Sequence, residues 1–184
     1  VSATDVLKPG DVLAVRLPGW FSEAIRVGEE LSGKPGLENH IALFHHYDDP
    51  GVPWGLEGRP GGVGWVDLRA YLRSPYTLNN CLQPGRTDQA RAVVAKQAEA
   101  LLGDKYSWAA IGGDTLAALH IHLWNLKLRD GLAPGPVVCS SYAAWLYEQA
   151  GWERPPATDR DTEPADWVSM VIGHQWSATI GVMQ

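Results

Sequence analysis

The sequence predicts an α+β fold, a small antiparallel sheet with helices segregated against it. Three observations carry that prediction. Short apolar runs bounded by Pro-Gly, Asp-Pro-Gly and Gly-rich turns crowd the first half of the chain, as strands do. Longer stretches with apolar residues at helical spacing follow. The order is strands first and mostly helices after. The 184 residues suit one domain over 1–184, and a 45% hydrophobic, 20% charged composition can supply its core.

The elements follow in order. "KPGDVLAVRL" (Lys8–Leu17) is a Pro-Gly turn leading into an alternating apolar strand. "WFSEAIRVGEEL" (Trp20–Leu31) has helical spacing, with Gly33 placed to stop it. "HIALFHHY" (His40–Tyr47) is a second strand, closed by the turn "DDPGVP". "WGLEG" and "GVGWVDL" are a third and a fourth strand around a Gly-rich bend, and Asp67 caps a short helix, "LRAYL". "YTLNNCLQP" is a further strand ended by Pro84-Gly85. "TDQARAVVAKQAEALLG" (Thr87–Gly103) is the clearest helix, with capping residues at its start and Gly103 as its stop. The stretch Ser107–Ala133, between Tyr106 and Pro134, reads as helix interrupted at Gly112-Gly113. Gly131–Pro136 is loop, and the segment from Cys139 to Gly151 is helical. "PPATDRDTEP" is a linker and "ADWVSMVI" a last helix. Most of the nine tryptophans are expected to fill core.

Charge and hydropathy exclude some partners. A net charge of −6 argues against nucleic acid, whose binders carry basic stripes. No apolar run approaches the ~20 residues of a membrane helix. "VSATDVLKPGD" has neither the basic nor the apolar region of a signal peptide, while a start without methionine leaves export open alongside a cytoplasmic location.

The chemistry centres on "GPVVCSSYAAWLYEQAG". Pro134 and Pro136 keep the approach out of helix, so Cys139 falls at a helix start. Free N–H groups and the macrodipole there favour an anion, hence a thiolate nucleophile and its oxyanion. The same segment also suits a buried structural cysteine. Cys81 and Cys139 make no disulfide framework, and sequence gives no distance between them.

A thiolate needs an imidazole partner. His40 opens a strand and is expected toward the sheet's edge. His45 and His46, near a turn, are expected to be solvated. His120 and His122 form a metal pair only if their segment is a strand, so no metal is expected. His174 is expected at the surface. Glu57, on the strand after that of His40, can stand beside it and orient it. A carboxylate in an apolar, Gly-rich strand needs a partner, unless it is exposed at an edge. Asn39 and Asp67 are weaker candidates for the orienting role.

In order along the chain, "KPGDVLAVR", "ENHIALF", "GLEGRPGGVGWVDLRAYL", "ALLGDKYSW", "VVCSSYAAWLYEQAG" and "TEPADWVSMV" resemble the circularly permuted branch of the NlpC-type papain-like cysteine hydrolases. That branch holds YiiX- and YaeF-like bacterial proteins and is related to lecithin retinol acyltransferase. His40 precedes Cys139, as the permuted order requires. The resemblance implies a papain-like fold with a small sheet or half-barrel, Cys139 as nucleophile, His40 as general base and acid, and Glu57 as orienting group. It implies that Tyr106 lines the site; Ser140 and Asn39, flanking the reacting residues, are expected to contact substrate with it. It implies no cofactor and an amide bond, in peptidoglycan stem peptides, as substrate. Two other expectations stand beside this one. The apolar stretch Leu116–Leu126 suits a lid or ridge of a lipid-directed acyltransferase or amidase, as well as a packed helix. The Trp and Gly content suits an inactive binding or structural module of a phage or cell-wall assembly.

Overall fold

The structure is a computed structural model. It describes residues 7–19, 23, 27, 30, 38–49, 51–59, 61–72, 78–81, 85–104, 139–155, 162, 164–173 and 177–178. The stretch 107–135, most of the linker "PPATDRDTEP", Tyr106, His120, His122 and His174 lie outside these residues, as does most of the helix expected over Trp20–Leu31.

The architecture is α+β. The strands are β1 (Val12–Val15), β2 (His40–Tyr47), β3 (Pro53–Arg59), β4 (Gly62–Asp67), β5 (Leu78–Cys81) and β6 (Ser177–Ala178). The helices are α1 (Arg69–Leu72), α2 (Asp88–Glu99), α3 (Cys139–Gln149) and α4 (Pro164–Gly173). One six-stranded sheet runs β4-β3-β2-β1-β5-β6, with every neighbouring pair antiparallel.

The run "VLAV" of β1 reads as an alternating strand, yet all four residues are buried. Its central place explains why: the sheet is covered on both faces, so both side-chain series need to be apolar. Val12 and Ala14 join Ile41, Leu43, Leu56 and Val63 in a core shared with α2, α3 and α4. Leu13 and Val15 join Ala42, Phe44, Val66, Leu68 and Tyr71 on the other face. That second face is covered by the segment through α1, whose start is held as expected: Asp67 Oδ1 accepts from the Arg69 amide at 3.0 Å.

Helix α2 is capped by Thr87, whose hydroxyl accepts from the Ala90 amide at 3.2 Å. It stops at Glu99, four residues short of the expected Gly103. The chain tightens there through Leu101 N–H to Ala98 O and Leu102 N–H to Glu99 O, and Gly103, at φ +85°, ends that turn instead. This end is tied to the sheet: Val63 N–H donates to Asp104 O and Gly103 N–H to Val63 O, each at 2.9 Å. Gly62, at φ +115°, makes the approach possible, since a Cβ there would meet Asp104 O at 2.6 Å.

Helix α3 is anchored along its length. Tyr142 donates to Ala98 O at 3.1 Å, and Tyr147 donates to Gly10 O at 2.6 Å. A buried Arg91–Asp11 pair, 2.7 Å apart, ties α2 to the turn before β1. Trp152 and Trp167 are core residues, as their type predicts. Among the described residues no helix is long and apolar enough to cross a membrane.

Candidate active site

The site forms at one end of the sheet. His40 is the first residue of β2 and pairs with Val15, the last of β1. Arg59, the last residue of β3, pairs with Gly62, the first of β4. Cys139 is the first residue of α3. It is a free, buried thiol, so a disulfide to Cys81 is not formed.

Strand periodicity brings Glu57 to His40. Leu43 pairs with Leu56; continuing that register sets Ala42 across from Glu57. His40, two residues from Ala42, lies diagonally on the same face, within reach of a long side chain. His40 Nε2 and Glu57 Oε2 are 2.7 Å apart. A carboxylate only accepts, so Nε2 carries the proton and Nδ1 is the nitrogen left for the thiol.

Both partners are buried, which corrects the expectation of His40 at the sheet's edge and leaves the paired alternative for Glu57 rather than the exposed one. His40 is 7% exposed and Glu57 2% exposed; neither sits at an open edge, because β1 and β4 flank β2 and β3. Burial alone would pull the His40 pKa down. Cys139, as nearby charge and hydrogen-bond partner, and then Glu57, outweigh it and raise it to about 10. The imidazolium is therefore the favoured state beside Cys139 at neutral pH. Burial likewise works against the Glu57 carboxylate. Its bond and charge contact with His40, the Tyr71 hydroxyl and the Arg59 charge reverse the sign and hold its pKa below the ordinary value.

Two of these neighbours escaped the reading of the sequence. Tyr71, from α1, donates to Glu57 Oε2 at 2.5 Å and stands edge-on to the His40 ring. Burial and the adjacent Glu57 charge push its pKa far above the usual value, so it stays a phenol and a donor. Arg59 Nε pairs with Glu57 Oε1 as an ion pair at 3.1 Å. Arg59 was legible in principle: it is two residues past Glu57, on the same strand face, with Gly64 opposite Glu57 leaving that face open. Tyr71 left no comparable signal, because its pairing crosses from a strand to a four-residue helix.

Two of the residues expected to contact substrate, Asn39 and Ser140, have side chains engaged within the protein. Asn39 is buried and spans to one residue: Leu17 N–H donates to its Oδ1 at 2.7 Å and its Nδ2 donates to Leu17 O at 3.1 Å. Ser140 is buried, and its hydroxyl donates to Thr162 O at 2.5 Å. Both side chains hold backbone in place, and Ser140 does so at the start of α3, where Trp167 also donates to its carbonyl at 3.3 Å. Asp67 pairs with Arg69 instead of approaching His40.

Away from the site, His46 is exposed as expected, but His45 is half-buried. Their Nδ1 atoms lie 2.8 Å apart at a bulge in β2, and both rings stand edge-on to Trp65. Burial and His46 lower the His45 pKa. Among the described residues no three His, Cys, Asp or Glu side chains gather as metal ligands.

A thiol beside an imidazolium that is itself gripped by a carboxylate is an arrangement able to supply a nucleophile and a proton donor together. No family model matches the chain, and no curated protein matches it in sequence.

Proposed function

We propose that this chain is a cysteine hydrolase that cleaves an amide bond through a thioester acyl-enzyme, in a papain-like fold of the permuted NlpC type. The observation that carries the reading is His40, joined to Glu57 at 2.7 Å and interacting with the Cys139 thiol at the first residue of a helix. His40 also precedes Cys139 in the chain, in keeping with the permuted order.

Thiolate Cys139 attacks the carbonyl carbon, forming the C–S bond, and the carbonyl electrons move to oxygen. The N–H groups at the start of α3 stabilise that oxyanion. His40 gives its proton to the leaving amine as the C–N bond breaks. The neutral imidazole then takes a proton from water, whose oxygen displaces the thiolate and releases the acid. Glu57 keeps the ring in the orientation needed for both transfers. Peptidoglycan stem peptides are the substrate class that the sequence resemblance points to.

Muropeptides and a thiol-directed probe test the proposal together. Cys139 is expected to take the probe, and cleavage is expected to vanish in Cys139→Ala. An unlabelled Cys139 with no cleaved peptide in the intact protein would sink it.

A further inference from the structure

Glu57 Oε2 accepts two hydrogen bonds: the His40 Nε2 contact at 2.7 Å and the Tyr71 hydroxyl at 2.5 Å. A single buried oxygen shared between an imidazole and a phenol is a specific arrangement. The Tyr71 ring could fill its place as phenylalanine, with the same apolar neighbours Leu13, Val15, Ala42, Phe44 and Leu68. A hydroxyl on that apolar face carries a desolvation cost unless it is bonded, and it donates to this carboxylate.

We propose that Tyr71 is a positioning residue of the Cys139–His40–Glu57 set: α1 delivers its hydroxyl to fix the carboxylate oxygen that orients His40. The inference rests on the cysteine-hydrolase reading for its catalytic meaning, though the contact itself does not. Free to rotate, the carboxylate would have two equivalent oxygens to offer. The phenol pins one against Nε2, and Arg59 Nε holds the other at 3.1 Å. The two supports differ in strength. Tyr71 is buried, whereas the Arg59 side chain is 47% exposed and its charge is screened by water.

The groups facing Glu57 are His40 from β2, Arg59 on its own strand, Tyr71 from α1 and, beyond His40, Cys139 from α3. Removing the Tyr71 donor takes away one bond that favours the anion, so the Glu57 carboxyl holds its proton to higher pH. In Tyr71→Phe the carboxyl titration of Glu57, followed by carbon NMR on glutamate-labelled protein, is expected to move up by about one unit, the scale of one hydrogen bond to a charged group. Arg59→Met, the second variant, is expected to move it less. An unmoved Glu57 titration in folded Tyr71→Phe, or a larger shift in Arg59→Met, would overturn the positioning role.

Alkylation of Cys139 separates this inference from the hydrolase reading. If the thiol of the unaltered protein resists iodoacetamide and no muropeptide is cleaved, the hydrolase reading fails, while the Glu57 titration still decides for or against Tyr71. If the thiol reacts, the acid limb of its rate profile is expected to rise in Tyr71→Phe with the Glu57 midpoint. A limb that stays fixed while the midpoint moves would count against any hold of Tyr71 on the reacting groups.

Discussion

Replacing Glu57 with glutamine keeps the shape of the side chain and removes its charge. The structure sets the size of the effect on His40. The Nε2–Oε2 contact is a buried, charge-assisted bond of 2.7 Å, with side-chain exposures of 9% and 3%. Such a bond contributes ~1.5–3 kcal/mol, which corresponds to ~1–2 units in the His40 pKa. His40 now titrates at about 10, raised from 6.5, so the imidazolium persists through neutral pH and is lost as pH rises through about 10. The stability that His40 contributes has the same sign: full below its unfolded value of 6.5 and lost as pH rises through about 10. In Glu57→Gln the loss of imidazolium is expected ~1–2 units lower, with Cys139 still raising the value against burial. The assay compares Cys139 alkylation by iodoacetate and by iodoacetamide. An imidazolium beside the thiolate attracts the anionic reagent, so the ratio of the two rates falls where the imidazolium deprotonates. Turnover of a cleavable amide should drop roughly 10²-fold, the lower end of what general acid–base catalysis contributes. A rate ratio that falls at the same pH in both proteins, with the variant folded, would refute the role of Glu57 in holding the imidazolium.

Two predictions concern the scaffold. Gly62→Ala forces a Cβ to within 2.6 Å of Asp104 O at φ +115°; a cost of ~1–3 kcal/mol and a fall in Tm of about 5 °C are expected, measurable by thermal melts. Arg91→Met leaves Asp11 without its 2.7 Å buried partner and should cost ~3–5 kcal/mol in urea denaturation.

Local pattern was enough for β2: "HIALFHHY" is an apolar run between a polar approach and a turn, and its observed limits are those residues. It was enough for the start of α3 as well, because prolines and a one-sided apolar pattern bracket Cys139. What pattern does not carry is lateral context. His40 reads as an edge residue only while the flanking strands are unknown; with β1 and β3 on either side of β2 it is buried. The two-residue strand β6 pairs Ser177 with Cys81 across about half the chain's length, and two residues are too short for a period. The bonds of the polar residues flanking the reacting pair were illegible for a related reason. Asn39 and Ser140 are next to His40 and Cys139 in sequence, but alternation and helical turn send their side chains elsewhere, into bonds with Leu17 and Thr162.

The two faces of the sheet explain why a histidine at the start of a strand joins this set. Ile41, Leu43 and Leu56 point into the core that also contains Cys139. Ala42, Phe44 and Tyr71 belong to the opposite face, and alternation assigns His40 and Glu57 to that face too. In mid-strand, the sheet itself would separate the thiol from the carboxylate. At the end it does not: His40 opens β2 and Cys139 opens α3, so the imidazole can take Glu57 with Nε2 and still meet the thiol. A slip of β2 by one residue would exchange its two side-chain series. Ala42 and Phe44 would face the helices, Ile41 and Leu43 would face α1, and His40 would leave Glu57. The packing of those four apolar residues fixes the register, and the register decides whether His40 can bridge the nucleophile and the carboxylate.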